Sequence, residues 1–134
     1  MRYLKASLHL SFFFLFSIAV GADKLINAEP VVSENFRINF VSQSDKLTIN
    51  RMHRWVIHVE DLEGNVVEAA DIRITGGMPE HDHGLPTEPR VTQYLGQGDY
   101  LLEGLKFHMA GLWQLDLIIE ANGKRDSVSF SFRL

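Results

Sequence analysis

No cysteine occurs anywhere in the 134 residues. That absence removes disulfides, thiolate chemistry, cysteine-ligated zinc and lipid attachment through an N-terminal cysteine. A basic excess is missing too: 13 Lys and Arg stand against 17 Asp and Glu, a formal net charge of −4. A partner of phosphates would call for a basic face, so nucleic acid is an unsuitable ligand. Long apolar runs are scarce. The longest, Leu8 to Val20, carries Phe12, Phe13, Phe14 and Phe16 over 13 residues, short of the roughly 20 that a membrane-spanning helix needs. Beyond Ala22 no stretch keeps a helical period. Phosphate-loop glycine spacing is absent, the acids form no pair that can be placed across a cleft, and the serines at 127, 129 and 131 have no histidine near them in sequence. Nothing here supports catalysis, and the chain is expected not to be an enzyme.

What is present begins with Arg2 and Lys5 ahead of that apolar run, followed by the small residues Val20-Gly21-Ala22. This is the layout of a secretory signal covering residues 1–22 and removed after Ala22; the alternative is an uncleaved N-terminal anchor. In either case the domain is exported, periplasmic or secreted. Without Arg2 and Lys5 the remaining chain holds 11 basic and 17 acidic residues, a net charge of −6. Residues 23–34 are polar, contain Pro30 and show no sustained period, and are expected to be a tether. An apolar fraction of 46% allows one core, in a domain of residues 35–134.

The pattern across that domain is alternation of period two. Phe36, Ile38 and Phe40 share one face. Leu47, Ile49, Trp55, Ile57 and Val59 continue on odd positions, with a bulge or break expected near Asn50 to Arg54. Gly64-Asn65 closes that run, and Val66 to Thr75 alternates again through Ala70, Ile72 and Ile74. After a loop from Gly76 to Pro89 come Val91 to Leu95 and Tyr100 to Phe107, then a tight connection at His108 to Gly111. Trp113, Leu115, Leu117 and Ile119 precede Asn122-Gly123, a two-residue hairpin signal, and Val128, Phe130 and Phe132 face inward after it. About seven short strands with turns between them predict an antiparallel immunoglobulin-like β-sandwich.

Chemistry concentrates in the Gly76–Pro89 loop, where Met78 precedes Pro79 and Glu80, His81, Asp82 and His83 stand between Pro79 and Pro86. Glycine and proline at this density are expected to end the strand. Residues i and i+2 of an extended segment point to one side, so His81 and His83 can reach one ion. Further ligands must come from elsewhere, and the nearest candidates are His108 and Met109 at a strand end, with Met78 in the loop itself. Each methionine of the exported part lies close to a histidine: Met52 to His53, Met78 to His81, Met109 to His108. Thioethers scarcely bind zinc, calcium or magnesium, whereas copper accepts both thioether and imidazole, so this donor set points to copper. Asp82 and Glu80 are candidates to orient an imidazole. The bland reading is a solvated His-x-His loop with Met109 filling the core. His53 is expected at a strand edge against Trp55, His58 exposed, and Trp113 in the core.

The combination Met78-Pro79-x-His81-x-His83-Gly84-Leu85-Pro86, Gly98-x-Tyr100 and Gly104-Leu105-x-Phe107-x-Met109-x-Gly111-x-Trp113 resembles the YtkA-like domain family over roughly Leu47 to Leu134. The resemblance implies an exported or membrane-anchored immunoglobulin-like sandwich. It is similar in outline to small periplasmic copper carriers and to proteins that help mature haem-copper oxidases. By motif position the likeness carries onto Met78, His81, His83 and Met109, and onto His108 through its place beside Met109. Unlike longer histidine- and methionine-rich carriers, this chain has few methionines and no metal-rich tail, so one ion per chain is the expected capacity. The expected function is a single-site copper carrier or chaperone serving a periplasmic or membrane copper-protein partner. The alternative is a metal-free interaction module that docks on an envelope protein through the 76–89 loop.

Overall fold

The computed structural model describes residues 29–134; the expected signal, 1–22, and the tether up to residue 28 lie outside the described residues. The strands are β1 (Val31–Val32), β2 (Phe36–Ser42), β3 (Met52–Asp61), β4 (Asp71–Met78), β5 (His83–Gly84), β6 (Arg90–Gly96), β7 (Asp99–Lys106), β8 (Leu112–Ala121) and β9 (Lys124–Arg133), with a 3-10 turn at Pro79–His81. They form two antiparallel sheets, β1-β2-β3-β7-β6 and β5-β4-β8-β9, the β-sandwich that alternation predicts. Apart from the two-residue strands β1 and β5, seven strands lie among the described residues, in line with the about seven expected from the sequence.

The inward sets are those of the alternation. Ile38 and Phe40 of β2, Trp55, Ile57 and Val59 of β3, and Trp113, Leu115, Leu117 and Ile119 of β8 are wholly buried. Phe40 stacks on Phe130 across the sandwich at 4.7 Å, and Trp55 meets Phe132 across it at 5.4 Å. With no disulfide, these aromatic contacts between sheets hold the layers together, each buried ring contributing about 1.5–3 kcal/mol of transfer free energy. The Asn122-Gly123 turn is a true hairpin between β8 and β9, both residues at positive φ (52° and 74°) as the primed turn requires. The Tyr100 hydroxyl donates to Val67 O at 2.6 Å and accepts from Ala70 N at 3.0 Å, fixing the irregular approach to β4.

Four expectations need correction. The segment 23–34 is not tether throughout: Val31–Val32 pair with Arg37 and Ile38, and Ser33 and Asn35 bond the carboxylate of Asp126. The strand expected over Val66–Thr75 starts only at Asp71 and runs on through Gly76 and Gly77 to Met78. Glycine does not end it, because a Cβ on Gly76 would stand 2.4 Å from Gln114 O and one on Gly77 2.1 Å from His83 O. Here glycine lets neighbouring backbones close up. His53 is not at an open edge but buried, stacked on Phe107 at 5.7 Å with Nε2 2.9 Å from Thr48 O. His58 is not free in solvent but half-buried between two carboxylates. The break near Asn50–Arg54 is present, with Asn50 at φ 61° and a register shift between His53 and Trp55.

Strand register fixes the two ends of the sandwich. Asp71 pairs with Glu120 and Ala121 with Lys124 at one end, where Asp126 receives the entering chain at Ser33 and Asn35. The end of β4, the start of β8 and the 3-10 turn lie at the other end.

Candidate metal centre

That far end is where the predicted donors collect. β5 is only two residues long, and its pairs are Gly77 with Gly84 and Met78 with His83. The close glycine approach seats it, Leu85 N donates to Gly76 O at 3.0 Å, and Asp82 turns the chain at φ 52°. Across the gap, the His108–Gly111 connection between β7 and β8 is tied down three times. Trp113 Nε1 donates to Met109 O at 3.1 Å, and Gly111 and Leu134 exchange two backbone bonds of 3.0 Å.

The two segments meet through their histidines. The rings of His81 and His83 lie 6.3 Å apart and nearly parallel at 14°. The rings of His83 and His108 lie 5.8 Å apart at 73°. His108 in turn rests edge-to-face on Trp113 at 5.4 Å. The topology therefore brings His81, His83 and His108 into one row, with His83 at its centre. Two imidazoles sharing an ion have ring centroids at most ~6.4 Å apart, given N–metal bonds of about 2.0 Å; 6.3 Å stands at that limit, where the two nitrogens must lie in line through the ion, and 5.8 Å is within it. The row is open as it stands: among the described residues no group of three His, Cys, Asp or Glu side chains is arranged to hold a metal ion.

His108 carries the feature that fits a metal best. Its Nδ1 is buried and has no hydrogen-bond partner, a state it shares among the described residues with His53 Nδ1 and Trp55 Nε1. A ring nitrogen in that position offers a lone pair to an ion when the ring's proton sits on Nε2.

The methionines are placed otherwise. Met78 is 1% exposed and belongs to the core, its methyl beneath Gly111, where an added Cβ would come within 2.5 Å of it. Met109 is half-buried and packs against the same core. Neither is an exposed donor beside the row.

A groove of about 250 Å³ runs beside β5, lined among others by Asp82, His83, Gln114 and Asp116. Asp116 accepts from Gln114 Nε2 at 2.8 Å and Ser129 Oγ at 2.6 Å. The outward alternation of β8 and β9 marks these side chains as solvent-facing, but only the sheet order sets them beside the loop. A second arrangement that sequence reasoning missed is His58, whose Nδ1 lies 2.6 Å from Asp99 and Nε2 3.2 Å from Glu60. Burial works against its charged form, yet the two carboxylates prevail and raise its pKa above the ordinary value. Asp99 is its cross-strand neighbour, a pairing that sequence spacing does not reveal.

The family model described as YtkA-like matches residues 31–117, which includes β1, the loop and the His108–Gly111 connection. No curated protein matches the chain in sequence. Among solved structures, a DUF4426 family protein from Pseudomonas aeruginosa PAO1 is similar with a TM-score of 0.59 at 14% identity, over 79% of this chain and 96% of that one. At that identity the likeness is one of fold. The GAE domain of GGA2p from Saccharomyces cerevisiae (TM-score 0.43, 12% identity, 84% of this chain and 97% of that one) is also similar. So is the ZirS C-terminal domain (TM-score 0.43, 14% identity, 100% and 86%).

Proposed function

The chain belongs to the YtkA-like family, and from that premise and the histidine row we propose that it is an exported, non-catalytic protein that carries one copper ion. His81 and His83 chelate from the loop and His108 closes the site from the opposite connection. The observation that carries this reading is the row itself, two imidazole spacings of 6.3 and 5.8 Å ending on a buried, unpartnered Nδ1. Copper suits imidazole donors and heads the affinity order of the divalent ions. His81 and His83 are exposed, so a partner can exchange ligands with them, while the half-buried His108 keeps the ion in register. Exposed ligands at the end of the sandwich opposite the entering chain support a role in delivery to a copper protein of the envelope. The localisation, periplasmic or secreted, rests on the N-terminal signal pattern.

The openness of the row favours one other reading, a metal-free module that docks on an envelope protein through the 76–89 loop. Titration of the purified chain with copper, alongside His81→Ala/His83→Ala, separates the two. One equivalent bound by the wild type and lost in the double variant is the expected result. Equal, weak uptake by both would sink the copper reading in favour of the docking module.

A further inference from the structure

A cluster of ionisable groups that the copper reading leaves unused stands on the outer face of the five-stranded sheet. His58 of β3 is held between two carboxylates, with Nδ1 2.6 Å from Asp99 at the start of β7 and Nε2 3.2 Å from Glu60 on its own strand. A carboxylate only accepts, and a neutral imidazole has one N–H and one lone pair. Two carboxylates on the two ring nitrogens therefore require both nitrogens to be protonated. The geometry is that of the imidazolium. On β2, Asn39 is the register partner of His58, and Arg37 stands 4.0 Å from Glu60. The turn after β6, Gly96-Gln97-Gly98, brings no charge.

That turn leans on the cluster. Gly96, Gln97 and Gly98 stand in succession at positive φ (96°, 54° and 80°), a conformation that a residue such as Gln97 keeps when its surroundings hold it. Gly98 O accepts from Val59 N at 2.9 Å, Gly98 N donates to Tyr94 Oη at 3.1 Å, and Asp99, the next residue, takes the short bond from His58. The seat is close: a Cβ on Gly98 would lie 2.7 Å from Val59 O and 3.4 Å from His58 Cε1.

We infer that His58 is a proton-operated clasp on the β6–β7 turn, which the imidazolium seats against β3 and the neutral ring lets loosen. A neutral ring can donate to one carboxylate only, and the other then faces a lone pair. Glu60 has Arg37 to turn to, but in either case the bond to Asp99 loses its cation and with it the attraction of opposite charges. The two carboxylates raise the pKa of His58 against burial, so the clasp is closed at low pH and opens as pH rises through the folded value. The segment it governs carries Tyr94 and Leu95, both exposed. Leu95, His58 and Asp99 also line, with Val41 and Val56, a groove of about 460 Å³, so the clasp shapes one wall of it. The inference stands whether or not the histidine row takes copper.

The test is nuclear magnetic resonance on the folded chain across the titration of His58, whose ring shifts locate its pKa. Backbone hydrogen exchange at Gly98 and Val59 is followed alongside, corrected for the intrinsic pH dependence of exchange. Below the midpoint both ring nitrogens should carry protons. Above it, protection of Gly98 and Val59 should fall ~5-fold or more, while that of Leu117 in the other sheet stays level. His58→Gln, neutral at every pH, should hold both amides at the lower protection throughout, and Asp99→Asn should do the same. Protection that does not move as the ring titrates, a step that survives in either variant, or a ring protonated on one nitrogen alone at low pH would overturn the inference.

Discussion

Gly111→Ala places a methyl group where the methyl of Met78 already is. The added Cβ would lie 2.5 Å from Met78 Cε, and the backbone there has φ 139°, which L side chains rarely adopt. The backbone term is worth about 1–3 kcal/mol, and overpacking a filled site costs a further 1–3 kcal/mol or so. The expected loss is therefore about 3–4 kcal/mol, or 1.5–2 M in urea midpoint at a slope near 2 kcal/mol/M. Gly123→Ala is the control, because it has positive φ (74°) but nothing within 4 Å of the new atom. It should lose only the backbone term, about 1–2 kcal/mol. A double-mutant cycle with Met78→Ala isolates the collision. Removing the methionine vacates the slot, so the two losses should fall short of adding by about 1–3 kcal/mol. Equal costs for Gly111→Ala and Gly123→Ala, or additivity within about 0.3 kcal/mol, would refute the claim that Met78 is locked beneath this turn.

Other consequences follow from the same geometry. Gly77→Ala drives a Cβ to 2.1 Å from His83 O, so β5 should detach; copper affinity is expected to drop at least ~10-fold in titrations while the domain stays folded. His58 has its folded pKa raised above 6.5, so its contribution to stability is complete below pH 6.5 and is lost as pH rises through the folded value. Chemical denaturation across that range should show the decline, and Asp99→Asn should flatten it. Asp126 behaves oppositely. Burial opposes its charge, but bonds from Ser33 and Asn35 lower its pKa below 3.8, so its stabilisation is present above pH 3.8 and vanishes as pH falls through the folded value. Asp126→Ala should cost about 2–4 kcal/mol at neutral pH in urea unfolding. Tyr100→Phe strips a partner from Val67 O and Ala70 N and should cost about 1–3 kcal/mol by the same assay.

Much of the sandwich was legible because period-two alternation marks a strand's buried face directly. Trp113 to Ile119 and Val128 to Phe132 needed no knowledge of their neighbours. The glycines misled for a physical reason. A glycine that ends a strand and one that lets two backbones close look alike in sequence, and Gly76 and Gly77 belong to the second kind. Met78 was drawn into the candidate site by its neighbours in the chain, whereas the strand that continues through it points its side chain into the core. His58 and Asp99 are 41 residues apart, and His83 and His108 come from separate segments. Both pairings depend on sheet order, which local pattern does not encode. The convergence of His81, His83 and His108 was proposed from residue chemistry; the topology supplies the proximity.

The most direct test of the central claim is to count imidazoles on the bound ion by X-ray absorption at the copper edge. The wild type should be compared with His108→Ala, each loaded with one equivalent. A single ion held by both segments predicts the outer-shell signature of three imidazoles in the wild type and two in the variant. Identical spectra for the two proteins would show that His108 never reaches the ion, and would contradict the site proposed between the loop and the His108–Gly111 connection.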